Sequence, residues 1–264
     1  MKTIGIANQK GGVGKTTTTI EIAACLSKYH KKRVLVIDFD QQTNASMYAD
    51  VDTSIPGMYS VLNGDVRIEE AIQKTSEFDI IRASQELSLV NDVFREAGDE
   101  FMLKEIVKII ENTNKYDYVL IDNTPARDRS LSMTYCASDY LIIPTLLDDG
   151  AIAGIGNVVA DLKKLRNAYI PLAHAEILAI ILTQYRDYNM DKVAKNTLMT
   201  NYSEIQLDKK GTICKPLIET IRYSNKASET KTFRCSLQSS LKSNNVAVDY
   251  RKLTKKLLER IGDK

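Results

Sequence analysis

Lys10-Gly11-Gly12-Val13-Gly14-Lys15-Thr16-Thr17 lies between a short β-prone run, Thr3 to Asn8, and a segment from Thr16 to Tyr29. In that segment Ile20, Ala23, Ala24 and Ser27 recur at helical spacing. Strand, glycine-rich turn, Lys-Thr and helix in this order form the context that a phosphate-binding loop requires. Glycines let the backbone turn its N–H groups inward around phosphate oxygens, and the following helix adds the positive end of its dipole. In such a loop Lys15 reaches the β- and γ-phosphates, and the Thr16 hydroxyl coordinates Mg²⁺. Gln9 stands where the strict pattern has a glycine, five residues before Gly14, and Lys10 adds a second lysine.

Working outward, apolar strands alternate with helices. Arg33 to Asp38 and Tyr116 to Asp122 each read as a buried strand ending in a carboxylate. Phe78–Ile81, Asp139–Pro144 and Glu176–Thr183 are further strands. Helices are expected near Met58–Leu62 and Ile68–Lys74, over Met102–Ile110, over Ala151–Asn167 with Gly154 and Gly156 loosening its start, and over Val246–Ile261. This alternation predicts an α/β fold: a mostly parallel central sheet with helices on both faces, of the phosphate-loop NTPase type. With no internal repeat or low-complexity linker, residues 1–264 are expected to form one domain.

The 264 residues suffice for one large α/β domain. No apolar run reaches the roughly 18 residues of a membrane span, and the N-terminus does not read as a signal peptide, so a cytoplasmic location is expected. Cys25, Cys136, Cys214 and Cys235 form no CxxC pair, and with only His30 and His174 to assist them a zinc site or disulfide framework is not expected. Net charge is +2, unevenly spread. Residues 1–150 carry 16 Lys/Arg and 23 Asp/Glu, whereas residues 209–264 carry 14 and 5. A basic C-terminal end suits a polyanionic partner or a solvated lysine-rich face.

A phosphate-loop NTPase needs an acid near the metal at the end of a neighbouring strand. Asp122 is one candidate, and the pair Asp38/Asp40 is the other. In a loose phosphoryl-transfer transition state, positioning and charge neutralisation outweigh deprotonation, so an acid that orients water need not be a strong base.

Asn8-Gln9-Lys10-Gly11-Gly12-Val13-Gly14-Lys15-Thr16-Thr17-Thr18 closely resembles the deviant Walker A motif of the ParA/MinD branch of phosphate-loop ATPases, and its Asn-Gln lead-in resembles the ParA (Soj-type) side. The resemblance implies ATP and Mg²⁺ as cofactors and a nucleotide site of Lys10, Gly11, Gly12, Val13, Gly14, Lys15, Thr16 and Thr17. It implies a slow, partner-stimulated ATPase whose signature lysine, Lys10, crosses to the partner's nucleotide in an ATP-sandwiched homodimer. Asp122-Asn123-Thr124-Pro125 is similar to the family's Asp-Cys-Pro-Pro, which makes Asp122 the Walker B acid. Asp38-Phe39-Asp40-Gln41-Gln42-Thr43-Asn44 is similar to Asp-Leu-Asp-Pro-Gln-Gly-Asn, which implies that Asp40 orients the attacking water and that Asp38 joins Thr16 and Asp122 near the metal. Catalysis thus falls to Lys10, Lys15 and Asp40.

Ile221-Arg222-Tyr223-Ser224-Asn225-Lys226-Ala227 resembles the family's Val-Arg-Leu-Ser-Glu-Ala stretch, which makes Arg222 the leading DNA-binding residue; Lys226, Lys231, Lys242, Lys252, Lys255 and Lys256 are weaker candidates. Leu217-Ile218-Glu219-Thr220 replaces the usual Ile-Pro-Arg-Asn, and no base-contacting residue is assigned. The family's implied partners are non-specific DNA, with a nucleoid-associated location, and a ParB-like centromere-binding protein. No N-terminal helix-turn-helix domain is expected. A MinD-like membrane-cycling ATPase is the alternative, resting on the basic amphipathic segment Tyr250–Ile261. An iron–sulfur reductase would need a second suitably placed cysteine besides Cys136.

Overall fold

The computed structural model describes residues 1–169, 172–227 and 234–263. Its strands are β1 (Lys2–Ile6), β2 (Val34–Phe39), β3 (Ile72–Lys74), β4 (Asp79–Ile81), β5 (Tyr118–Asn123), β6 (Tyr140–Thr145), β7 (Glu176–Tyr185), β8 (Ile205–Gln206), β9 (Ile213–Cys214) and β10 (Leu217–Arg222). Eight of them form one sheet in the order β10-β7-β6-β1-β5-β2-β4-β3, and β8 and β9 form a separate antiparallel pair. Within the large sheet every pairing is parallel except β3 with β4.

The period of two along the strands explains why both faces are covered. On β2, Val34 and Val36 join the layer of the helix Lys15–His30 and the C-terminal helix Asn245–Ile261, beside Ile20, Tyr250 and Leu253. Leu35 and Ile37 point the other way, into a layer with Leu103, Ile106 and Ile110 of the helix Met102–Asn112. Beyond β1, Leu141, Ile143 and Ile180 pack on Ile155, Val158 and Leu162 of the helix Asp149–Ala168. The chain winds from β1 to β2 in one direction and from β5 to β6 in the other, so the strand order reverses at β1. Ligands bind α/β sheets in the crevice outside the strand ends at such a reversal.

The expected helix over Ile68–Lys74 is shorter. It stops at Ala71, and Ile72–Lys74 becomes the antiparallel edge strand β3. A tight turn causes this: the Thr75 N–H and hydroxyl donate to the Phe78 carbonyl at 3.2 and 2.6 Å and fold the chain back onto β4. Gly154 and Gly156 do not loosen the helix Asp149–Ala168, which runs through both. A Cβ on Gly154 would lie 2.3 Å from Asn8 Oδ1, so the glycine lets this helix approach the phosphate-loop lead-in.

Candidate nucleotide-binding site

The loop between β1 and the helix Lys15–His30 is built by backbone conformations that favour glycine. Gly12 and Gly14 hold φ of 76° and 89°. A Cβ on Gly11 or Gly12 would meet nothing within 4 Å, and both residues line an open cleft. Anchors behind the loop fix its shape. Asn8 Oδ1 accepts from the Lys10 N–H at 3.1 Å, and its Nδ2 donates to the Pro144 carbonyl at 2.7 Å. The Val13 carbonyl accepts from the Thr183 hydroxyl at 2.9 Å, which ties the loop to β7. Gln9 Nε2 donates to Asp161 Oδ2 at 2.7 Å, and the same carboxylate takes the Arg127 guanidinium from the loop after β5.

Two lysines bracket the loop. Lys15 is buried, and its Nζ donates to the Lys10 carbonyl at 3.0 Å. Burial lowers its pKa, and the nearby Asp122 and Asp40 carboxylates oppose that shift. Lys10 Nζ pairs with Asp148 of the same chain. Thr16 and Thr17 line the cleft beside Lys15.

Asp38 and Asp122 stand one residue from the ends of β2 and β5 as register partners, and neither is exposed. Asp38 Oδ2 accepts from the Ser46 N–H at 2.8 Å and its hydroxyl at 2.6 Å. Asp122 Oδ1 accepts from the Thr19 hydroxyl at 3.0 Å, while Oδ2 is buried with no hydrogen-bond partner among the described residues. Burial raises the pKa of both carboxyls. For Asp122 the Asp38 charge adds to the rise, and the Thr16 and Thr19 hydroxyls offset part of it. Asp40 is also buried, lines the cleft and accepts from the Gln42 N–H at 3.0 Å.

A divalent cation fits this donor set. It would satisfy the orphaned Asp122 oxygen and relieve the repulsion between paired carboxyls. Among the described residues no three His, Cys, Asp or Glu side chains gather as a metal cage. Mg²⁺ is commonly held through one or two carboxylates together with substrate phosphates and water.

The cleft encloses about 520 Å³ and extends from the phosphate loop to the ends of β7 and β10. Gln184, Ile221, Tyr223 and Val246 also line it, with Thr183 beside the loop at Val13 and Tyr250 beside Thr18. Pattern reading missed them because β10 and the loop after it carry no glycine punctuation and no regular period. Tyr250 reads as an ordinary core residue of the last helix, yet its hydroxyl lies 2.9 Å from that of Thr18. Arg222 stands on the same rim, and its guanidinium makes a two-pronged pair with Asp249 at 2.8 and 2.7 Å. Lys256 pairs with Glu219 and Lys255 with Glu259; Lys226, Lys242 and Lys252 are exposed. Lys231 lies outside the described residues.

A parallel sheet with a glycine-rich loop at its strand-order reversal, two loop lysines and two strand-end carboxyls define a phosphate-loop ATPase of the deviant Walker A class. A family model described as an AAA domain matches residues 1–174. The chain is 31% identical over 203 residues to the chromosome partitioning protein ParA of Caulobacter vibrioides, covering 74% of this chain and 75% of that protein. It is 30% identical over 241 residues to the sporulation initiation inhibitor protein Soj of Bacillus subtilis, covering 82% and 90%. The fold superposes on the ATP complex of Cyanothece McdA with a TM-score of 0.83 at 21% identity, covering 100% of this chain and 97% of that one. The chain belongs to the ParA family of ATPases.

Proposed function

We propose that this ATPase binds ATP-Mg²⁺, dimerises around it, holds DNA without sequence preference on the nucleoid and segregates plasmid or chromosomal DNA with a ParB-like, centromere-bound partner. The observation that carries this reading is the cleft itself, where the phosphate loop, Lys15, Thr16 and Asp40 share one surface. Loop amides of Gly11 to Thr17 and the Lys15 ammonium bind the triphosphate. Thr16, Asp38 and Asp122 are the residues that would hold Mg²⁺, which neutralises phosphate charge when bound. Asp40 orients the attacking water, and placement rather than basicity is its contribution. Lys10 leaves Asp148 and reaches the nucleotide of the second protomer, adding positive charge to the transferring phosphoryl group. Turnover is slow until the partner stimulates it.

The C-terminal helix Asn245–Ile261 supports this reading over a membrane-cycling one. Val246, Leu253, Leu257 and Leu258 lie in the core, so its apolar face is already used. Among the described residues no helix is long and apolar enough to cross a membrane.

Arg222 is the proposed phosphate-backbone contact. DNA binding requires the guanidinium to leave Asp249, and contacts to phosphate make retention fall steeply with salt. The test is filter retention of duplex DNA with ATP and Mg²⁺, alongside nucleotide affinity and light-scattering mass. Arg222→Ala is expected to lower retention several-fold with nucleotide binding and dimer mass unchanged. Retention equal to that of the unaltered protein would place the DNA contact elsewhere.

A further inference from the structure

We infer that Asp161 is a positioning residue of the ATPase: through Arg127 and Gln9 it ties the loop that follows Asp122 to the lead-in of the phosphate loop. This rests on the reading of the phosphate loop as a nucleotide site.

Asp161 stands on the helix Asp149–Ala168, seven residues after Gly154. That spacing is about two turns, so the two residues share one side of the helix. On that side Gly154 meets Asn8 and Asp161 meets Gln9. One oxygen, Asp161 Oδ2, accepts from Gln9 Nε2 at 2.7 Å and from Arg127 Nε at 2.9 Å. The other oxygen accepts from Arg127 Nη2. The guanidinium thus meets the carboxylate with two prongs, which fixes direction as well as distance. Gln9 is joined directly to Lys10. Arg127 lies two residues beyond Pro125, which lines the cleft together with Gly11 and Gly12.

The loop is anchored at both ends. At its start Asn123 Nδ2 donates to the Ile6 carbonyl at 3.1 Å, and Asn123 Oδ1 accepts from the Thr134 hydroxyl at 2.6 Å. At its end Asp128 caps the next helix. Between them, among the described residues, Pro125, Ala126 and Arg127 hydrogen-bond beyond their own turn only through the Arg127 guanidinium. The Asp161 side chain is 16% exposed and that of Arg127 63%, so the acid is the fixed partner and the arginine is laid onto it. A pair so open to water adds little to folding stability. Near reacting phosphates its effect is larger, because a misplacement of about 1 Å can cost on the order of 100-fold in rate. The contribution of Asp161 therefore falls on turnover.

The test measures basal phosphate release against ATP-Mg²⁺ concentration, fluorescent-ATP affinity and urea unfolding in the unaltered protein, Asp161→Asn, Arg127→Gln and the double variant. Each single variant should lose roughly tenfold in kcat through misplacement of the loop, with KM and ATP affinity within about twofold. The double variant should lose no more than either single one, because both changes remove the same bridge. Asp161→Arg combined with Arg127→Asp should return kcat to within about threefold of the unaltered value, since the Gln9 amide can turn its carbonyl to the new guanidinium. Asp161→Arg alone should be the slowest. Unchanged kcat in both single variants would overturn the assignment. So would losses that multiply in the double variant, or a loss of ATP affinity equal to the loss of kcat. If Asp161→Asn does not fold, Arg127→Gln carries the test at an exposed side chain. An unaltered protein that binds no ATP would overturn the nucleotide reading itself.

Discussion

Asp38 and Asp122 face each other across the β2–β5 pairing, one residue from the end of each strand, with no solvent exposure at either. Two carboxyls in that position are stable only with strong compensation. Asp38 obtains it from Ser46, whereas one oxygen of Asp122 has none among the described residues. An unpartnered carboxyl oxygen thus stands where a cation and phosphates would gather, and the surrounding strands hold it in place.

Asp40 stands two residues beyond Asp38 and lines the cleft without sharing the register pair. Asp40→Ala is expected to bind ATP normally, to lose at least 100-fold in turnover as a positioning group does (roughly 3 kcal/mol in barrier), and to accumulate as dimer. Phosphate release and light-scattering mass check this. Turnover at the unaltered rate would reassign the water-orienting role.

Gly154 and Gly156 occupy one helix but face different surroundings. A Cβ on Gly154 would collide with Asn8 Oδ1 at 2.3 Å, and one on Gly156 would find nothing nearer than Tyr202 Oη at 3.8 Å. Gly154→Ala should cost about 1–3 kcal/mol by overpacking and weaken nucleotide binding, because Asn8 holds the Lys10 amide. Gly156→Ala should be neutral or stabilise by up to about 1 kcal/mol through helix propensity. Urea unfolding of the two variants distinguishes them, and equal stabilities would remove the packing role of Gly154.

Glu21 is a buried acid outside the site. Its carboxylate accepts from the Leu237 N–H at 2.7 Å and from Gln238 Nε2 at 2.8 Å. Burial raises its pKa to about 7, against those two hydrogen bonds. The folded protein therefore holds this proton more tightly than the unfolded chain. The resulting stability is complete below the ordinary carboxyl pKa and is lost as pH rises through about 7. On the order of 3 kcal/mol should disappear between pH 5 and 8, from the difference between the raised and ordinary values. Glu21→Gln should flatten that slope in urea titrations, and an unchanged pH dependence would contradict the raised pKa.

The phosphate loop and both carboxylate strands were legible because each is a local pattern. Gly12 and Gly14 announce left-handed backbone, and Val34 to Ile37 and Val119 to Ile121 are apolar runs ended by an acid. The part of the cleft lined by β10, the residue after it and the last helix was not legible in the same way. Ile221, Tyr223, Val246 and Tyr250 come from segments joined only by the sheet edge and the last helix, and no period links them. The helix Arg129–Ala137, capped by Asp128, which accepts from the Leu131 N–H at 3.1 Å, is not among the elements expected from the sequence. Ile72–Lys74 took strand form because the turn at Thr75–Phe78, which follows it directly, paired it with β4.

The most direct measurement is titration of fluorescent ATP, with Mg²⁺, into the unaltered protein and into Lys15→Ala. Saturable binding in the first and its loss in the second is the expected result. Equal affinity in both would mean that the loop over residues 10–17 does not hold the triphosphate, and the proposed mechanism would fail with it.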